Sequence, residues 1–206
     1  MADDEVIFYH NPQSRSSMTH WMLEEVEAPY RVVAMDWAKG DHKSAEFLAI
    51  NPMGKIPAIQ HRGVTVTETP AIIAYLADAF PQAGLAPAPG AAERGAYYRW
   101  LFFGIGCIEP AMLDKLTNRP DPENKRAAGY GSYDDVLNAL RGELAKGDYL
   151  VAGRFSAADL YIAAELTFMA MFGAPGVKGD PVFDPYVARC TDRPGFRKAM
   201  APPPAA

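Results

Sequence analysis

The sequence predicts an α+β domain of order βαβ-ββα over residues 1–82, followed by an all-α domain over residues 91–206. Three observations carry this. Short runs of strand-forming residues cluster in the first eighty positions, apolar residues at helical spacing dominate the rest, and a segment rich in Pro and Gly separates the two. That segment, residues 81–90, holds Pro81, Gly84, Pro87, Pro89 and Gly90 with no apolar periodicity, which is linker composition.

Val6-Ile7-Phe8-Tyr9 reads as a buried strand that Asn11-Pro12 ends. Met18, Trp21, Met22 and Val26 then fall on one helical face, and Ala28-Pro29 stops it. Tyr30-Arg31-Val32-Val33 completes a βαβ unit whose two strands are parallel. After a polar stretch and the turn signals Asn51-Pro52-Met53-Gly54, residues 56–60 and 64–66 read as a hairpin about His61-Arg62-Gly63. Thr69-Pro70 opens a helix, with Thr as cap, Pro in the first turn, and Ile72, Ile73, Leu76, Ala79 and Phe80 as its apolar face.

Beyond the linker, residues 91–116 are helical and aromatic, and Pro110 should kink or end that helix. Ser132 starts another helix, whose face is Val136, Leu137, Leu140 and Leu144. Tyr149-Leu150-Val151 is the strongest strand signal of this half. Ser156-Ala157-Ala158-Asp159 is a capping box flanked by Phe155 and Leu160 as a hydrophobic staple. Asp184-Pro185 marks a last helix, Arg193-Pro194-Gly195-Phe196 a short turn, and the Ala-Pro tail from Ala201 should fray.

Charge excludes some functions. With 20 Lys and Arg against 25 Asp and Glu, the net charge of −5 is the wrong sign for a nucleic-acid surface. The acidic N-terminus lacks the basic and apolar regions of a secretion signal, and the apolar stretches 100–108 and 166–177 are too short to span a bilayer. A cytoplasmic location and no membrane partner are therefore expected. Cys107 and Cys190 have no CxxC spacing, so no zinc site or disulfide framework is expected, and no His, Cys and Asp cluster suggests a metal. No P-loop or GxGxxG occurs.

Three segments of the first domain converge at one edge of a βαβ-ββα sheet: the loop 11–17, the bend at Ile56-Pro57, and the helix start at Glu68-Thr69. A cis bond before Pro57 would turn the main chain of Ile56 outward to pair with a peptide-like ligand. On local grounds the trans form is favoured, since only about 5–6% of X-Pro bonds are cis. At Glu68-Thr69 the helix N-terminus suits a carboxylate and the Glu68 acid an ammonium, the two charges of an amino-acid head group; simple capping, which is compatible with this, is favoured on local grounds. Ser14 and Ser16 stand at the first turn of the first helix, where a hydroxyl can donate to an anion or merely cap. His10 and His20 have no assigned role.

Taken together and in this order, these segments resemble the glutathione S-transferase family along nearly the whole chain. The matching residues are Tyr9 to Ser14, Phe47 to Ile59 with its Asn-Pro-Met-Gly-Lys-Ile-Pro core, Thr67-Glu68-Thr69 followed by Ala71 to Leu76, and Phe155 to Asp159. The resemblance implies a thioredoxin-like glutathione-binding domain, an all-helical domain lining the second substrate's pocket, and a homodimer. It implies that Ile56 pairs through its backbone with the cysteinyl part of glutathione and that Pro57 is the family's cis-proline. Glu68 and Thr69 would hold the γ-glutamyl group, and Lys43 and Lys55 the glycyl carboxylate. Ser14 fits the activating hydroxyl of bacterial-type, serine-type members, with Ser16 second. No cysteine lies in the loop 11–17, which disfavours the disulfide-exchanging branches.

The expected chemistry is detoxifying conjugation of glutathione, a co-substrate, to a hydrophobic electrophile. A thiol of pKa about 8.5 is only a few per cent ionised at neutral pH. A hydroxyl aimed at the sulfur, worth about 1.5–3 kcal/mol to an anion, lowers that pKa by about one to two units. Tyr97, Tyr98, Trp100, Phe103 and Met112 are candidates for the electrophile pocket, with helix-core packing the competing role for most of them. Two other readings share the fold: a catalytically silent glutathione-fold binding module, and a glutathione-dependent isomerase or dehalogenase.

Overall fold

The computed structural model describes residues 4–120 and 123–201. They fall into two compact units, one from Met1–Gly84 and Arg193–Ala206, the other Leu85–Asp192.

In the first unit the order is β1 (Val6–His10), α1 (Ser16–Glu25), β2 (Tyr30–Ala34), a short 3-10 turn and α2 (Ala45–Leu48), β3 (Ala58–His61), β4 (Val64–Thr67) and α3 (Thr69–Ala79). The sheet order is β2-β1-β3-β4, with β1 parallel to β2 and antiparallel to β3, and β3 antiparallel to β4. This is the thioredoxin-like arrangement expected. Alternation along β1 sends Val6 and Phe8, both fully buried, to one face of the sheet. The other face carries Tyr9 and Val33, which pack with Met35, Phe47, Ile56 and Ala58. The β3–β4 hairpin turns at Arg62 and Gly63, both at positive φ (49° and 73°), the backbone that suits a two-residue hairpin.

The start of α3 differs from expectation. Ile72 N–H donates to the carbonyl of Glu68 at 2.9 Å, so Glu68, not Thr69, is the cap residue. Thr69 is the first helical residue and Pro70 the second, where its missing N–H costs nothing. The chain returns to this unit at its end as α9 (Pro194–Ala199), where a turn was expected. Phe196 meets Trp21 of α1 edge to face at 4.9 Å, and Arg193 grips the buried Glu25 carboxylate with bonds of 2.7–3.0 Å. Lys198 pairs with Glu24 beside it. The tail beyond Ala201 lies outside the described residues.

The second unit contains α4 (Arg94–Phe103), α5 (Glu109–Leu116), α6 (Tyr133–Leu144), α7 (Ala157–Met171) and α8 (Phe183–Thr191). Among the described residues it has no strand. Tyr149-Leu150-Val151 is irregular because the Leu150 N–H is taken at 2.8 Å by the Asp159 carboxylate rather than by a neighbouring strand. Pro110 does not break the helix. The turn before it, Gly104–Ile108, widens to π geometry, with Glu109 N–H donating to Gly104 C=O. This re-registers the ladder around the carbonyl that Pro110 cannot serve. A Cβ on Gly104 would lie 2.3 Å from a ring carbon of Tyr161. Gly104→Ala is therefore expected to cost about 1–3 kcal/mol by overpacking, read as a lowered denaturation midpoint. The helix expected at Asp184-Pro185 starts earlier, at Phe183: Asp180 Oδ1 accepts from the N–H groups of Val182 and Phe183 at 2.8 and 3.1 Å.

Of the predicted helix starts, those at Ser132 and Ser156 hold. Ser132 with Asp135, and Ser156 with Asp159, form reciprocal capping boxes at α6 and α7. α7 is buried almost all round over its first ten residues, as befits the helix at the centre of an all-α unit.

Candidate functional site

Sheet register assembles the site. Val33, Tyr9, Ala58 and Thr67 stand opposite one another in a row across β2, β1, β3 and β4. The loop 11–17 leaves β1 two residues past this row, Ile56-Pro57 enters β3 just before it, and Glu68-Thr69 leaves β4 just after it. Neighbouring strands are about 4.8 Å apart, so the three segments share one edge of the sheet within about 10 Å.

The Ile56-Pro57 bond is cis. Ile56 is buried at 8% exposure against Met35 and Phe47, and among the described residues its N–H and C=O have no protein partner. Asn51, 3% exposed, shapes the turn leading in: its Nδ2 donates to Lys55 C=O at 2.8 Å, and its Oδ1 accepts from Met53 N–H at 3.1 Å. Lys43 Nζ donates to Met53 C=O at 3.2 Å, which brings its ammonium to the loop that carries Lys55, and both lysines are exposed. Gly54, at φ 60°, leaves no room for a side chain: a Cβ would sit 2.6 Å from His42 O.

At the start of α3, Thr69 is buried and Glu68 exposed, with φ 66° and ψ 117°. A positive φ costs a residue with a Cβ about 1–2 kcal/mol. The strained backbone turns the Glu68 carboxyl outward beside the free N–H groups of an eleven-residue helix.

The serine loop is a closed set of hydrogen bonds. Ser14 Oγ donates to Asn11 C=O at 2.8 Å, accepts from Ser16 N–H at 3.1 Å, and lies 2.8 Å from Ser16 Oγ. Ser16 is fully buried and Ser14 half-buried. Asn11 pins the loop through Nδ2 to Met35 C=O at 2.7 Å. The sequence assigned His10 no role, yet its Nδ1 lies 2.7 Å from Ser16 Oγ. Burial pushes the His10 ring down to about 4, with the nearby His20 adding to the effect, so the imidazole is neutral at neutral pH. Its place at the last residue of β1, one step before the serine loop, was the signal available for it.

In the second unit the aromatic candidates divide. Tyr97, Trp100 and Met112 are buried at 0%, 0% and 4% exposure, which fits packing, whereas Tyr98 is 40% exposed and Phe103 half-buried. Arg94 donates to Tyr98 OH at 2.6 Å, and Phe103 meets the Trp100 ring at 5.2 Å. Among the described residues no cluster of metal-ligating side chains occurs, and no helix is long and apolar enough to cross a membrane.

Comparison with known proteins matches residues 4–78 to the glutathione S-transferase N-terminal domain and residues 108–194 to the glutathione S-transferase C-terminal domain. The structure of a sphingomonad glutathione S-transferase complexed with glutathione is 32% identical, over 94% of this chain and 96% of that one, with a TM-score of 0.76. A glutathione transferase from Methylococcus capsulatus is 27% identical over 95% and 97%, with a TM-score of 0.77. Glutathione S-transferase 1 of Schizosaccharomyces pombe is 30% identical over 75% of this chain and 71% of its own length. With both domain types matched in order and likeness sustained along nearly the full length of a relative, this chain belongs to the glutathione S-transferase family.

Proposed function

We propose that the protein activates the thiol of glutathione with the Ser14 hydroxyl and conjugates the sulfur to a hydrophobic electrophile. The observation that carries this is the contrast between the two serines: Ser14 is accessible at the sheet edge that also presents Ile56 and Glu68, whereas Ser16 is sealed beneath it. On this reading the Ile56 main chain pairs with the cysteinyl residue as an added strand. Glu68 holds the γ-glutamyl ammonium and the N-terminus of α3, with Thr69, its carboxylate. Lys43 and Lys55 meet the glycyl carboxylate. The hydroxyl stabilises the sulfur anion, which attacks the electrophilic carbon. Of the five pocket candidates named from the sequence, Tyr98 and Phe103 are the two with exposure left for an electrophile, and the active form is a homodimer.

The test is retention on immobilised glutathione together with turnover of chlorodinitrobenzene. Both are expected; retention without turnover across an electrophile panel would favour a silent binding module. Glu68→Gly separates binding from folding. It removes the positive-φ cost and is expected to raise stability by about 1 kcal/mol. The same change deletes the carboxylate and should weaken glutathione binding about tenfold or more, since a hydrogen bond to a charged group is worth about 1.5–3 kcal/mol. Calorimetric titration alongside urea unfolding checks both halves; unchanged affinity would remove Glu68 from the site.

A further inference from the structure

We propose that His10 is a positioning residue for this reaction: by donating from Nδ1 to Ser16, it closes the Ser16 oxygen to the Ser14 proton, leaving that proton only a crowded carbonyl to exchange for the sulfur. The proposal rests on the Ser14 reading above. A hydroxyl oxygen has two lone pairs and one proton. Ser16 Oγ already accepts from Asn11 N–H at 3.1 Å, and His10 Nδ1 stands 2.7 Å away. If Nδ1 carries the proton, Ser16 Oγ is full. Ser16 O–H then goes to Asn11 C=O at 2.9 Å, a carbonyl that Ser14 N–H at 3.1 Å and Ser14 O–H at 2.8 Å also reach, so three donors share two lone pairs. Ser16 Oγ is thereby closed to Ser14 O–H and the Asn11 carbonyl is oversubscribed, so the proton on the accessible hydroxyl is the one a sulfur anion draws outward.

In the opposite tautomer Ser16 O–H donates to His10, Ser16 Oγ keeps a lone pair open, and Ser14 at 2.8 Å fills it. The proton then points into the loop, away from the ligand. With the Nδ1–H tautomer and a sulfur anion present, the outward arrangement wins because a bond to a charged acceptor is about twice as strong as a neutral one. The groups facing His10 are Ser16 and His20 of α1, whose ring centroid lies at 5.3 Å, and Phe8 of β1 at 4.9 Å. Behind His20 stand Tyr30, Glu24 and Lys198. His10 stays uncharged through the range in which a thiol titrates, so its effect is directional rather than coulombic.

The experiment follows the ultraviolet absorbance of the glutathione thiolate against pH in the enzyme–glutathione complex. His10→Phe, which keeps a ring but no donor, is expected to raise the thiol pKa by about one unit, about tenfold less thiolate well below that pKa, with glutathione affinity nearly unchanged. His10→Asn places an amide N–H where Nδ1 stood and is expected to stay close to wild type. Equal shifts in both variants mean a packing role and overturn the proposal. No shift in His10→Phe while Ser14→Ala raises the pKa overturns the role of His10 alone. No shift in Ser14→Ala overturns the hydroxyl reading and the proposal with it. If His10→Phe fails to fold, nitrogen-15 NMR of the wild-type ring decides: Nδ1–H is expected, and a neutral Nε2–H ring overturns the proposal.

Discussion

Ser14→Ala is expected to lower conjugation of chlorodinitrobenzene, at saturating glutathione and pH 7, by roughly ten- to twenty-fold. The size follows from ionisation. A thiol of pKa about 8.5 is about 3% thiolate at pH 7, and one brought down by about one to two units is roughly 25–75% thiolate. Losing the hydroxyl returns the sulfur to the first state. The acid limb of the pH–rate profile should therefore move up by about one to two units, while the rates converge above pH 9, where sulfur ionises unaided. Glutathione affinity should change little, because Ile56 and Glu68 are untouched. Ser16→Ala removes a buried hydroxyl bonded to Asn11 and His10, so its first effect should be on stability. A loss from Ser14→Ala that persists undiminished at high pH, or a rate loss confined to Ser16→Ala, would overturn the assignment of Ser14.

Asp159→Ala is expected to be the most destabilising single change, by about 3–5 kcal/mol. The carboxylate is fully buried and gathers Leu150 N–H at 2.8 Å, Ser156 N–H at 3.0 Å, Ser156 Oγ at 2.7 Å and Tyr186 OH at 3.2 Å. Burial holds its pKa above the usual carboxylate range, and these donors offset only part of that rise. Truncation strands them at the start of the most buried helix of the unit, and each unsatisfied buried group costs about 1–3 kcal/mol. Urea unfolding followed by far-ultraviolet circular dichroism measures the loss; a change below about 1 kcal/mol would show that water replaces the carboxylate. Asp159→Asn keeps the shape but sets an amide N–H against one of the donors, and should fall between wild type and Asp159→Ala.

Much of this was legible along the chain because it is local. Apolar residues at helical spacing, a turn about His61-Arg62-Gly63 and the Ser156-Asp159 capping box act within a few positions, so their physics is written in adjacent letters. The site segments were legible for a related reason, since each sits at the end of a strand and the order of strands sets which ends meet. Local rules misled where a distant partner intervened. Tyr149-Leu150-Val151 has strand composition, but Asp159 captures its backbone. Arg193-Pro194-Gly195-Phe196 has turn composition, but Trp21 and Glu25 supply a surface on which it becomes a helix.

The sequence by itself determined the family, the order of elements and the three segments that meet at one edge of the sheet, because periodicity, caps and turn residues are properties of neighbours. Only the tertiary structure decided which serine is accessible, that the Ile56-Pro57 bond is cis, and that His10 lies under the serine loop. Those outcomes depend on burial and on the filling of lone pairs, and both are fixed by groups that meet only after the chain has folded.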